Sequence, residues 1–329
     1  MVLHFRQATR IYAKTLPFVL LRLGIGLLLG VLSILYFGGV FYVGYHLLEG
    51  GTISGWIAVV GLLVALGAFA WFWRLLSRYV LYLVKAAHIA VIAHVVETGD
   101  VPDDQLRYGK SQVSERFTEA SALFAVDQVI KAVVKQFNDA VVSFSGLFSV
   151  VPALKQLIQF VGKAIAIAAS YIDEAIIAHM FVSDEENPWR SARDGVVLYG
   201  KHWKPVLGST MLIVLGMYAT AFVLLLTLTP LATVLSGLST TLEAVSWVLV
   251  GGVFLTIYTG FLKPWVKTVV ITTFLVESRD TEPDSETMDR IAGRSERFQE
   301  LISKADDDED GPTEQPSKPD SHSASGHGA

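Results

Sequence analysis

Residues 152–182 read PALKQLIQFVGKAIAIAASYIDEAIIAHMFV, and whether this stretch crosses a bilayer or rests on one decides the fold. At about 100° per residue, Lys155, Gln156, Gln159, Lys163, Ser170, Asp173 and Glu174 fall in one stripe of a helix that is otherwise apolar. A second stripe, formed by Asp127, Gln128, Lys131, Lys135 and Asn138, runs along 117–142. The connection between the two, 143–152, carries no charge. Two helices lying on the membrane surface satisfy this pattern, and so does a transmembrane hairpin whose polar stripes face each other or a cavity. Loop charge favours the hairpin, because Lys and Arg gather in cytoplasmic loops. The segments 47–54, 143–152 and 230–246 hold neither residue, whereas Arg6, Arg10, Lys14, Arg74, Lys85, Arg107, Lys110, Arg190, Lys201 and Lys267 flank the helices.

The rest of the chain sets the class. Of 329 residues, 52% are hydrophobic and 17% charged, against about 25% charged in a soluble domain. A helix needs roughly 20 apolar residues to cross a bilayer. The stretches 23–46, 53–73, 206–229 and 242–262 supply them. The expected fold is therefore all-α: a polytopic integral membrane helical bundle of about six transmembrane helices. These form three hairpins, 16–97, 113–182 and 205–277, each with an amphipathic lead-in helix, and both termini are cytoplasmic. Residues 1–283 make the transmembrane domain, 284–304 a cytoplasmic or surface helix, and 305–329 a disordered acidic tail. The net charge of −5 is concentrated at that end: residues 277–329 hold 6 Lys and Arg against 15 Asp and Glu. Such a tail cannot bury enough apolar area to order itself.

An internal repeat supports three units. Tyr12-Ala-Lys14, Tyr108-Gly-Lys110 and Tyr199-Gly-Lys201 precede the hairpins. Each hairpin leaves through an acidic loop with a proline: Glu97-Thr-Gly-Asp-Val-Pro102, Asp184-Glu-Glu-Asn-Pro188 and Glu277-Ser-Arg-Asp-Thr-Glu-Pro283. The lead-in at 188–203 is expected to lie among the lipid headgroups, anchored by Trp189, Tyr199 and Trp203.

Sequence chemistry points away from an enzyme. The chain has no cysteine, and no Walker loop, HExxH or GxSxG motif. His88 and His94, six residues apart, fall on different faces of a helix and cannot share a metal. Neither a cofactor, a metal nor a nucleic-acid partner is expected. Gly26-x-x-x-Gly30 inside the first span reads as a close-packing surface. The residues that stand out are Asp173 and Glu174, because an ionisable group at membrane depth costs about 2.5–3.5 kcal/mol on insertion scales and is a functional candidate by default. Their structural alternative is pairing with a base on a neighbouring helix. Tyr171 adjoins them, and a carboxylate beside aromatic faces is what a quaternary ammonium needs, since it has no N–H to donate. Lys163 lies about 15 Å further along the stripe at 1.5 Å per residue.

Three segments resemble the choline transporter-like membrane protein family. They are 84–93 (VKAAHIAVIA), the run from 154–160 (LKQLIQF) through Tyr171-Ile172 to Ser191-Ala-Arg-Asp194, and 267–280 (KTVVITTFLVESRD). Lys267 stands where that family tends to carry Asp, and the family's cysteine-bearing extracellular region has no counterpart here. Uncharacterised prokaryotic membrane domains built of lead-in hairpins are similar nearly to the same degree. The resemblance implies a multi-pass small-solute transporter for an organic cation such as choline, with Asp173, Glu174, Tyr171 and Lys163 as substrate-binding candidates. The alternative is a non-enzymatic membrane scaffold or assembly protein. Expected partners are membrane lipids, a small organic cation, and a second copy or another protein recruited through the acidic tail.

Overall fold

The computed structural model describes residues 4–116, 120–146, 171–237 and 240–307, and every described element is helical. Four helices are long and apolar enough to cross a membrane: Leu16–Glu49, Gly55–Thr98, Thr210–Val234 and Ser246–Ser278. The first contains the stretch 23–46, and the other three overlap 53–73, 206–229 and 242–262, each starting two to four residues later. The first hairpin is α2 (Leu16–Glu49) and α3 (Gly55–Leu76). Without a break α3 passes through a five-residue π-helical segment, π1 (Ser77–Leu81), into α4 (Tyr82–Thr98). Much later, α8 (Pro188–Ser236) and α9 (Thr240–Ile257) repeat the plan, continuing through π2 (Tyr258–Leu262) into α10 (Lys263–Ser278). Large apolar side chains on α2, α3 and the distal halves of α8 and α9 are exposed, as Leu27, Ile34, Trp56, Phe222 and Val248 show. This outward apolar surface is what lipid would cover.

The other elements form a helical head: α1 (Phe5–Lys14), α4, α5 (Gln105–Arg116), α6 (Ala120–Gly146), α7 (Ile172–Val182), the first part of α8, α10, α11 (Ser285–Ala292) and α12 (Glu296–Asp307). Its core gathers Ile92, Ile130, Ile176, Leu198, Phe274 and Phe298, all fully buried. The α7 helix is the centre, packed by α4, α6, α8 and α10. Among the described residues neither α6 nor α7 is one of the four candidate spans. Residues 147–170, which hold Lys155, Lys163 and most of the polar stripe of 152–182, lie outside the described residues.

The sequence repeat has local physical causes. Within or just after each acidic loop a side chain starts the next helix by accepting from an otherwise unsatisfied N–H: Asp104 Oδ1 from Arg107, Asn187 Oδ1 from Trp189, and Asp284 Oδ1 from Thr287. Gly99 closes α4 with φ +79°, the left-handed conformation that favours glycine at a helix end. Immediately after Lys14 and after Lys201, Thr15 (φ −96°, ψ 13°) and His202 (φ −104°, ψ 15°) bend the chain in the same way from lead-in to span. The Tyr108-Gly-Lys110 copy lies inside an unbroken α5, so the middle unit departs from the other two there.

Two details differ from expectation. Tyr199 is buried and Trp189 lies under the Lys304 ammonium, 4.7 Å from its ring centroid, so the 188–203 segment packs into the head under α11 and α12 and does not lie bare among headgroups. The C-terminal segment forms two helices joined at Gly293 and Ser295, and the second runs to Asp307 because Phe298, Leu301 and Ala305 are buried against the head. Residues 308–329 of the acidic tail lie outside the described residues.

Candidate functional site

Asp173 and Glu174 occupy the first turn of α7 and are both buried. Two carboxylates in a protein interior require compensating charge, and three elements far away in sequence bring it. Lys267 of α10 donates to Glu174 Oε1 at 2.5 Å, and Lys85 of α4 reaches the same oxygen at 3.1 Å. On the other side Lys131 of α6 pairs with Asp127 one turn earlier and lies 3.9 Å from Asp173. Of the stripe on α6, Asp127 and Lys131 therefore do face α7. Tyr171 directs its hydroxyl to Met217 Sδ of α8 at 3.9 Å, which separates it from the carboxylates' ionic partners. Lys163 falls outside the described residues.

The cluster is not fully satisfied. Asp127 Oδ1, Asp173 Oδ1 and Glu174 Oε2 are buried and meet no hydrogen-bond donor among the described residues. Beside Glu174 a void of about 10 Å³, room for one water, is bordered by Arg22, Lys85, His88, Glu174, Pro264 and Lys267. His88 is held there by two contacts: its ring stacks on Phe18 at 5.0 Å and its Nε2 sits 3.1 Å from Thr15 Oγ1, the residue of the first bend. The Arg22 side of the wall is set by helix packing. Leu23 presses on π2 so tightly that a Cβ at Gly260 would lie 2.5 Å from Leu23 Cδ2. Tyr12 adds a hydrogen bond from its hydroxyl to the Phe261 carbonyl in the same π segment, at 3.0 Å. A π-helical turn leaves such carbonyls without their usual partners.

Sequence reasoning identified the two carboxylates and the possibility of a base on a neighbouring helix, but not which bases. Lys85 and Lys267 share a legible signal: each follows an apolar span within five residues of the end of a π segment. Arg22, the charge inside the apolar run that opens α2, is a further signal of the same kind. Among the described residues no group of three His, Asp or Glu side chains is placed to hold a metal ion.

Between the exposed apolar helices two polar side chains find carbonyl acceptors. Ser33 donates to the Leu29 carbonyl and Tyr36 to that of Ala65. The large opening there, about 830 Å³ between the outer halves of α2 and α3, is lined by apolar and glycine residues including Gly39, Gly44, Ile57 and Leu62. No protein-family model, curated protein or solved structure matches this chain.

Proposed function

We propose that the protein is a four-pass membrane platform: two lipid-exposed hairpins carry a cytoplasmic helical head whose work is binding and assembly, not chemistry. In this reading the middle helices belong to the head, and the number of crossings is four instead of six. The observation that carries it is the state of Glu174, whose carboxylate is taken by Lys85 and Lys267 inside a core closed by α4, α6, α8 and α10. A carboxylate with two ammonium partners has little left to offer an organic cation, and Tyr171 is engaged elsewhere. The distribution of Lys and Arg on the head side of the spans supports a cytoplasmic head with both termini on that side. The choline-carrying alternative keeps one specific support: the buried carboxylate oxygens of Asp127, Asp173 and Glu174 that meet no donor.

Because the chain has no cysteine, one introduced thiol tests the placement without background. A Ser143→Cys variant in intact cells is expected to resist an impermeant maleimide and to react once the membrane is opened, whereas labelling from outside would restore the third hairpin. The purified protein in proteoliposomes is expected to take up no more choline than empty vesicles. Uptake that disappears in Glu174→Gln would replace the platform with a transporter.

A further inference from the structure

Two groups at the junction of head and membrane lack what their chemistry requires, and they border the same void. Arg22 carries five N–H donors in a planar fork, and among the described residues none accepts from it. Glu174 Oε2 is buried and receives no hydrogen bond. Around the void Arg22, Lys85 and Lys267 face Glu174, and with Lys131, Asp127 and Asp173 counted four basic side chains meet three carboxylates, an excess of one positive charge. A bridging water could serve Glu174, but it would leave that excess uncompensated where lipid begins. The wall is also fixed: His88 is stacked and hydrogen-bonded in place, and the close fit of Leu23 on Gly260 sets how far Arg22 stands from Lys267. Arg22 is only half-buried, so part of its side chain stays open to the outside of the protein.

We propose that this notch binds a singly protonated oxyanion of the phosphate class, either free hydrogen phosphate or a phosphomonoester lipid headgroup. Its charged oxygens accept from the Arg22 fork and from the lysine edge, where a guanidinium favours two-point contact. Its P–OH donates to Glu174 Oε2. The void admits one oxygen of the group, and the remainder rests against the exposed side of Arg22. One ligand thus supplies both the acceptor that Arg22 lacks and the donor that Glu174 lacks, and its negative charge offsets the local positive one. The lipid source rests on the four-pass reading, which puts the notch at headgroup level; the free anion does not.

The test uses the full-length protein in detergent near pH 7, titrated with sodium phosphate against sodium chloride at equal ionic strength and followed by phosphorus NMR line width and by melting temperature. Saturable binding that weakens about tenfold or more in Arg22→Gln, and that sulfate reproduces poorly for want of a proton to donate, supports the site with the free anion as its ligand. If free phosphate has no effect, the protein is reconstituted into phosphatidylcholine vesicles doped with phosphatidic acid and re-extracted. Preferential retention of phosphatidic acid, lost in Arg22→Gln, supports the lipid source. The absence of both effects, or equal binding by Arg22→Gln, overturns the proposal and leaves a water in the notch. An Arg22→Lys variant, which keeps the charge without the fork, is expected to bind with intermediate strength and shows that any loss is not misfolding. Outside labelling at Ser143→Cys would remove the platform reading without touching the detergent measurement, so the two failures are distinguishable.

Discussion

The α3 and α4 helices are consecutive lengths of one continuous rod, divided only by π1, yet they live in opposite surroundings. The α3 helix is nearly devoid of polar residues and has no buried residue, whereas α4 carries Lys85, His88, His94 and Glu97 and buries eleven of its seventeen residues, His88 among them. The more apolar length is the more exposed one. Hydropathy therefore reports which surface meets oil, while burial against protein demands a mixture of small, branched and charged residues shaped to particular neighbours. The same inversion separates α9 from α10 across π2, and it divides the described residues into an exposed apolar half and a packed half.

The sharpest way to break this division is to remove the charge at the centre of the packed half. Glu174→Ala leaves Lys85 and Lys267 facing each other without their shared carboxylate. The loss of one partner of a buried ionic group costs about 3–5 kcal/mol, expected as a matching fall in unfolding free energy in detergent. Adding Lys267→Met to the variant is expected to recover part of it. A loss below about 1 kcal/mol would mean that water reaches Glu174 and that the head is not closed there.

A smaller effect tests packing alone, with the same substitution made in each half. At Gly109 of α5 a Cβ would sit 2.6 Å from the Ala87 carbonyl oxygen and 3.0 Å from Ala87 Cβ, both on α4. Gly109→Ala must push two helices apart and is expected to cost about 1–3 kcal/mol. At Gly30 of α2 nothing lies within 4 Å of that position. Gly30→Ala is therefore expected to be neutral or to stabilise by up to about 1 kcal/mol through helix propensity. Equal losses at the two sites would show that α2 has a tight partner on that face.

These contrasts also mark how far sequence could lead. The four helices long and apolar enough to cross a membrane were legible because lipid asks only for length and apolarity, and the stretches at 23–46 and 53–73 offer both. The acidic loops were legible as a repeat, although their common physical task, capping the next helix through Asp104, Asn187 and Asp284, needed coordinates to see. The placement of 113–182 was not legible. A helix with a polar stripe presents the same pattern whether its apolar face meets lipid or other helices, and the sequence contains no term for that choice. Asp173 and Glu174 stood out for the right reason, buried charge, but their partners lie on α4 and α10. Lys267 is 93 residues from Glu174, and periodicity within one helix cannot find a contact of that range. Arg22 was visible as a charge in an apolar run, and only the approach of π2 to α2 turns it into part of a site.

The smallest expected effect lies at the rim of the head. Asp284 accepts the Thr287 N–H at 2.8 Å and pairs with Lys201 at 3.2 Å. The backbone hydrogen bond from Thr287 is the main reason that its carboxyl titrates below its ordinary value, with Lys201 assisting. Because the folded pKa is depressed, the cap's contribution is complete above the ordinary aspartate pKa of about 3.9 and disappears as pH falls through the lowered value. The residue is partly exposed at the rim, so the effect belongs to α11 and not to the whole molecule. Hydrogen exchange at the α11 amides is expected to quicken in Asp284→Ala at neutral pH and to change little in Asp284→Asn, since asparagine caps comparably. Acidification should lower the protection of the same amides in the parent protein, once the pH dependence of intrinsic exchange is divided out, and leave that of Asp284→Asn nearly flat. The α3 amides should respond to neither change, because that helix has no acidic residue in its first turn. An α11 helix indifferent to both would be held by Ile291 and its buried neighbours alone, and the acidic loop would then have to owe its proline and its aspartate to something other than helix initiation.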